Sequence, residues 1–181
     1  VGVDNPTTNI DSKVLIVSIT SFIYNDIRRR KNMEMLRQLS YFDSLTNAYN
    51  RNAYFSELER LEEDGKGTLG IAYIDVNGLK RVNDTQGHKA GDRLIVSVAD
   101  KLFRYLPGGK VYSTGGDEFI VFCKGISESE FQTMIEHLQS SWNEQSSAAI
   151  GYIWMDKIEQ VESKVSAAEK MMYIGKRKFY E

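Results

Sequence analysis

Cysteine is nearly missing from this sequence: 181 residues contain one, Cys123. No internal disulfide can form. Its neighbours Ile120, Val121 and Phe122 mark a packed thiol in a strand rather than a nucleophile, and a reducing cytoplasm is the expected location. Long apolar runs are missing too. The best, 14–23 (VLIVSITSFI), is shorter than the ~18–20 residues a membrane helix needs, and it carries Ser18, Thr20 and Ser21. No signal-peptide pattern opens the chain. Neither sign of charge dominates: 23 Lys and Arg face 25 Asp and Glu, for a net charge of −2. That excludes a general basic face for nucleic acid or anionic lipid, so no nucleic-acid partner is expected, and the lack of a long apolar run argues against membrane insertion. What is present, 41% hydrophobic and 11% aromatic residues, can build a core and excludes a disordered chain. The length suits one domain of ~100–150 residues with a modest attachment. The chain starts at Val1 without an initiator Met and reads as a piece of a longer protein.

Segment 5–9 (NPTTN) reads as a loop, with Asp11 and Ser12 as a helix cap. From Lys13 to about Ser40 there is no Pro or Gly. Apolar residues Ile16, Ile19, Ile23, Ile27, Met33, Leu36 and Leu39 recur at three- and four-residue steps, which predicts one long helix. One apolar stripe on so long a helix calls for a partner, and parallel pairing with a second copy is the natural solution. The basic run from Arg28 to Lys31 reads as a solvated face. Helices are then expected over Asn50 to about Glu63, Lys89–Leu106, Glu128–Trp142 and Val161 to about Gly175. Strands are expected over Thr68–Val76, Lys110–Thr114, Glu118–Lys124 and Ala148–Trp154, the second and third joined by a two-residue turn at Gly115-Gly116. The nearly continuous apolar run of the first strand predicts burial on both faces. The pattern as a whole predicts an α/β sandwich, a sheet with helices packed on it.

Asp75 is anomalous in that strand. An ionised carboxylate buried there unpaired costs several kcal/mol. Either it caps a strand end open to solvent or it binds a cation. Asp117 and Glu118 follow the Gly-Gly turn, and adjacent like charges repel unless something positive sits beside them. Alone they make an acidic hairpin. Two acidic strand ends converging on one point are what a divalent-metal phosphoryl-transfer site requires: oxygen ligands for Mg²⁺, completed by substrate phosphates. Asn77, Gly78, Leu79 and Lys80 follow directly, a glycine-containing loop whose N–H groups and lysine suit phosphate, although it is not a P-loop. Asn83, Asp84, Gly87, His88, Gly91 and Asp92 form a polar stretch. Asn and Asp can read a purine edge; the alternative is a helix-capping loop, preferred for Asp84 and Lys89, and His88 reads equally as a structural histidine or a ligand contact.

Together these residues resemble the GGDEF domain, the diguanylate cyclase family. The resemblance runs from Asp43 to the end: Asp43-Ser44-Leu45-Thr46 with Tyr49-Asn50-Arg51, the 75–80 segment, Asn83-Asp84 with Gly87-His88 and Ala90-Gly91-Asp92, Gly115-Gly116-Asp117-Glu118-Phe119, and finally Ala168-Glu169, Met172-Tyr173 and Lys176. It implies an α/β (α+β) fold with a central five-stranded, mostly antiparallel sheet flanked by helices, like the palm of nucleotidyl cyclases and polymerases. It implies a sensor remnant and linker helix over 1–40 and a catalytic domain over 41–181. By position, Asp75, the Val76 carbonyl, Asp117 and Glu118 would hold two Mg²⁺ ions, with Mn²⁺ as an alternative. Asp117 would accept the proton of the attacking hydroxyl, supported by Glu118. Lys80 and Lys176 would stabilise phosphate charge, Asn83 and Asp92 would read guanine, and His88 would lie near the substrate. The implied reaction joins two GTP molecules across a homodimer into cyclic di-GMP and two pyrophosphates. The alternative is a catalytically silent GTP-binding module. Two departures stand out. Ser113 replaces a common Arg, and Leu106-Pro107-Gly108-Gly109 stands where the family often has a product-inhibition RxxD, so feedback through that site is not expected. The segment from Gly2 to Pro6 and the helix from Lys13 to Ser40 resemble the tail of a GAF sensor domain, which implies an upstream sensor.

Overall fold

In the computed structural model, residues 12–143 and 147–180 are described. Segment 5–9, Asp11 and the sensor-like start at 1–6 fall outside them. Contacts divide the chain between Gln38 and Leu39. On the first side lies most of α1 (Ser12–Tyr41), a single uninterrupted helix as its lack of Pro and Gly requires. The apolar side chains described on it are exposed: Ile16, Ile19, Ile23, Ile27, Met33 and Leu36, but also Val17, Phe22, Tyr24 and Met35, while that of Leu39 lies outside the described ones. At ~100° per residue these do not share one stripe but ring the helix. Among the described residues no helix is long and apolar enough to cross a membrane.

The second unit is a sheet covered by helices on both faces. Asn50 caps α2 (Arg51–Asp64) by accepting the Ala53 N–H at 3.1 Å, and Gly65 ends it. Strand β1 (Leu69–Val76) is buried at every residue, because it runs through the middle of the sheet. Its side chains alternate between two cores. Ala72, Ile74 and Val76 join α4 (His88–Tyr105) and α5 (Glu128–Ser140); Leu69, Ile71 and Tyr73 join α2 and α6 (Val161–Tyr180). Strands β2 (Lys110–Gly115), β3 (Glu118–Lys124) and β4 (Ala148–Met155) complete the order β2-β3-β1-β4, every pair antiparallel. Cys123 lies in the first core, where burial pushes its thiol up to about 12, as a packed cysteine should behave.

Three details differ from expectation. The sheet has four strands among the described residues, not five. Beside β2 there is only a one-residue parallel bridge, Tyr49 to Tyr112, made by Tyr49 N–H to Val111 O (2.9 Å) and Ser113 N–H to Tyr49 O (2.7 Å). The segment cannot extend as a strand. Asp43 Oδ1 accepts from the Thr46 N–H and hydroxyl, Asn47 takes φ +59°, and Asn50 is already capping α2. Second, 79–86 is a helix, α3 (Leu79–Gln86), so Lys80 and Asn83 are helical rather than in a loop. Third, the β2–β3 turn is Gly116-Asp117: Gly115 pairs with Glu118, and a register irregularity sits between Ser113 and Gly115. Neither Gly115 nor Gly116 has a positive φ.

Helix α6 is held unusually close. A Cβ on Gly151 of β4 would lie 1.9 Å from the Ala168 carbonyl oxygen and 2.4 Å from the Met172 nitrogen, so only glycine admits the helix backbone there. At its start, Glu62 Oε1 of α2 accepts the Val161 N–H at 2.7 Å, supplying an anionic cap from another element.

Candidate active site

Asp75 is the penultimate residue of β1. Antiparallel register sets it directly opposite Glu118 on β3 and Ala149 on β4, and the next residue, Val76, donates its N–H to Asp117 O at 2.9 Å. The two acidic motifs, 42 residues apart in the chain numbering of Asp75 and Asp117, therefore meet at one edge of the sheet. Alternation puts Tyr73, Asp75 and Glu118 on the face that α6 covers. Lys176 reaches in from that helix, with Nζ 2.5 Å from Asp75 Oδ1; the Asp75 side chain is 6% exposed and that of Lys176 24%.

Burial raises the Asp75 carboxyl above the ordinary carboxylate range. The Lys176 ammonium opposes this without cancelling it, and Asp117 adds repulsion. Glu118 is raised as well, by burial first and then by Asp75 and Asp117, while a hydrogen bond from Tyr73 works the other way. Tyr73 is itself raised by burial and by Glu118 and Glu169. Repelling carboxyl groups at the mouth of a sheet are hard oxygen donors, the set that suits Mg²⁺ or Mn²⁺, and a cation there would reverse the strain burial imposes. Among the described residues no three His, Cys, Asp or Glu side chains form a ready cage. The donors fit an open site, one whose coordination other oxygens complete.

The neighbouring loop is built from the same strand end. Asn77 N–H bonds Ser147 O at 3.0 Å; its Nδ2 reaches Ser147 Oγ at 3.4 Å, and its buried Oδ1 has no hydrogen-bond partner. Gly78 takes φ +72°, turning the chain into α3, and Leu79 packs against the core. Asn83 Oδ1 is also buried and without a hydrogen-bond partner. It occupies the space a side chain at Gly91 would fill, 2.0 Å from that absent Cβ. Lys80, His88 and Asp92 stand exposed on α3 and at the start of α4, as do Gly115 and Gly116 at the turn. The structure thus brings together Asp75, Val76, Asp117, Glu118 and Lys176, and sets Asn83 against the start of α4. Among the described residues, Lys80, His88 and Asp92 make no bond to the acids. Sequence reasoning gave no role to Tyr73 or Ser147. Tyr73 was open to it, two residues before Asp75 on the same strand face; Ser147 was not.

The match to known proteins covers most of the chain. Residues 40–179 match the family model described as diguanylate cyclase, GGDEF domain. The diguanylate cyclase DgcN of Escherichia coli K12 is 35% identical over 119 residues, 62% of this chain and 28% of that protein. An uncharacterized membrane protein of Staphylococcus saprophyticus is 25% identical over 181 aligned residues, 92% of this chain and 50% of its own. The chain spans half or less of the length of these curated relatives. Among solved structures, the coiled coil and GGDEF domain of DgcB from Caulobacter crescentus, in complex with c-di-GMP, superposes with a TM-score of 0.75 at 26% identity, covering 90% of this chain and 94% of that one.

Proposed function

Because the chain belongs to the GGDEF domain family of diguanylate cyclases, we propose that it condenses two GTP molecules into cyclic di-GMP. Each 3′-hydroxyl attacks the α-phosphorus of the other GTP. A new P–O bond forms twice, the bond between α-phosphorus and bridging oxygen breaks twice, and two pyrophosphates leave. The observation that carries this reading is the pairing of Asp75 with Glu118 at adjacent strand ends, with Asp117 bonded to the next residue.

Asp75, the Val76 carbonyl, Asp117 and Glu118 would hold two Mg²⁺ ions, or Mn²⁺. The metal would supply charge neutralisation for the phosphates and a more acidic 3′-hydroxyl. Asp117, at the exposed turn, accepts the proton of that hydroxyl, and Glu118 beside it keeps the acidic cluster in register. Lys80 and Lys176 offset phosphate charge, aided by the backbone N–H groups of the 77–79 segment as it enters α3. Asn83 Oδ1, a buried acceptor without a hydrogen-bond partner, is suited to a guanine N–H, with Asp92 accepting a second and His88 nearby. Gly116 supports the same picture. Its φ is ordinary and nothing lies within 4 Å of a Cβ built there, so the turn itself makes no demand for glycine. A phosphate approaching the backbone does. One domain presents half of such a site. Two copies, brought together through the apolar α1 helices and biased by an upstream sensor, would complete it.

The test is incubation with GTP and Mg²⁺ over a range of protein concentrations, with product identified by mass spectrometry beside Asp117→Ala. Cyclic di-GMP rising more steeply than protein concentration, and lost in the variant, is the expected result. GTP bound without turnover at any concentration would overturn it in favour of a silent nucleotide-binding module. In the same assay Asp92→Ser should relax the preference for GTP over ATP; an unchanged ratio would remove Asp92 from base reading. Cyclic di-GMP should not inhibit noncompetitively at low micromolar levels, since the 106–109 segment carries no charged side chain.

A further inference from the structure

Lys176 raises a question that phosphate binding does not answer: why it is bonded to Asp75. The ion pair uses Asp75 Oδ1, on a side chain 6% exposed, and Glu118 stands in register opposite. Without a cation, this end of β1 sets two carboxyl groups opposite each other where water screens their charge poorly. Lys176 offsets that charge. It is delivered from α6, whose backbone is fixed against β4 at Gly151 and whose first turn is capped by Glu62, so its place is set by packing rather than by chance on a loose tail.

We propose that Lys176 is a resident counter-ion that a divalent cation must displace from Asp75, so that loading the site is an exchange rather than an addition. The inference rests on the metal-site reading above. An ammonium and a metal ion compete for the same carboxylate oxygen. Metal binding to the nucleotide-free protein is therefore weakened by the ion pair it breaks. Nucleotide phosphates give the released lysine a new anionic partner, so metal and nucleotide strengthen each other's binding by an equal factor. The arrangement keeps the empty site assembled and discourages a metal from settling there before the substrate.

The experiment is Mn²⁺ binding to the full chain, followed by the electron paramagnetic resonance signal of free Mn²⁺, with and without a non-hydrolysable GTP analogue. Lys176→Gln should bind Mn²⁺ about tenfold more tightly than the unaltered protein when nucleotide is absent. Lys176→Arg, which keeps the charge, should stay close to the unaltered protein. The analogue should tighten Mn²⁺ binding more in the unaltered protein than in Lys176→Gln, with an unaltered thermal melt confirming that the variant is folded. Equal Mn²⁺ affinity in the unaltered and Gln proteins, with measurable binding in both, would overturn the exchange and leave the metal site intact. No binding in either, even with the analogue, would overturn both.

Discussion

Burial holds the Glu118 carboxyl above its ordinary range, Asp75 and Asp117 push it further, and Tyr73 opposes them. An acid raised on folding contributes stability that is full below its unfolded value of ~4.3 and is lost as pH rises through the folded value. The Glu118 contribution to the melting temperature in chelator should therefore fall as pH rises from its unfolded value through the raised folded one. Glu118→Gln should flatten that fall; an unchanged slope in a pH series of thermal melts would remove Glu118 as its cause. Gly151→Ala acts through packing instead. Its Cβ would meet the α6 backbone at 1.9 Å, so α6 must retreat, at a cost of about 3 kcal/mol in denaturant unfolding. A loss below ~0.5 kcal/mol would show that α6 is free to shift. At this scale the chemistry was legible wherever a residue contradicted its surroundings. Asp75 stood out from an apolar strand and Asp117-Glu118 from a hairpin. Gly151 did not stand out, because nothing in AIGYIW announces that a helix 17 residues further on will lie against it.

Among the elements, those with an unbroken physical signal were read correctly. Strand β1 carries its apolar run, and α2 is bracketed by Asn50 and Gly65. Helix α3 was not legible. It is eight residues long, buries none of them fully, and is built from Lys80, Arg81, Asn83, Asp84, Thr85 and Gln86, which read as a polar loop until α4 packs beside it. The α6 cap was equally hidden, since Glu62 and Val161 are 99 residues apart. Removing it has a stated consequence: Glu62→Ala should lower stability by about 1 kcal/mol in denaturant melts. Ser127→Ala should cost a similar amount by breaking the Ser127–Glu130 capping box of α5, away from the acidic strand ends. Of the two, only Glu62→Ala acts on the helix that carries Lys176, so only it should raise the KM for GTP. Equal effects on KM would disconnect α6 from the site.

For the molecule as a whole, both cores and the acidic cluster lie on the C-terminal side of the division at Gln38. A shortened chain of residues 39–181 should therefore unfold in one cooperative step, within about 2 °C of the full chain. A drop much larger than that would assign α1 a share of the domain's stability. Its rate per molecule at equal concentration should fall if α1 pairs the copies, and cross-linking or sedimentation would show the lost association directly. The sheet was legible from alternating strand and helix patterns, down to the antiparallel hairpin. That the described residues hold four strands rather than five was not, because Asp43, Thr46 and Asn47 bind one another locally and leave Tyr49 a single bridge. The long helix was predicted, but its apolar residues prove to ring it, so its sequence specifies that it needs company without specifying one seam.

The ordinary φ of Gly116 bears on how such proteins diverge. A turn that folds without its glycine does not protect that glycine. Gly116→Ala should leave melting temperature and expression untouched while turnover collapses. A lineage that no longer needs the second messenger can thus lose it in a single step, with no intermediate that is unstable or cleared by proteases. Descendants of that step would keep the fold and the long helix α1, ready to be used for binding alone.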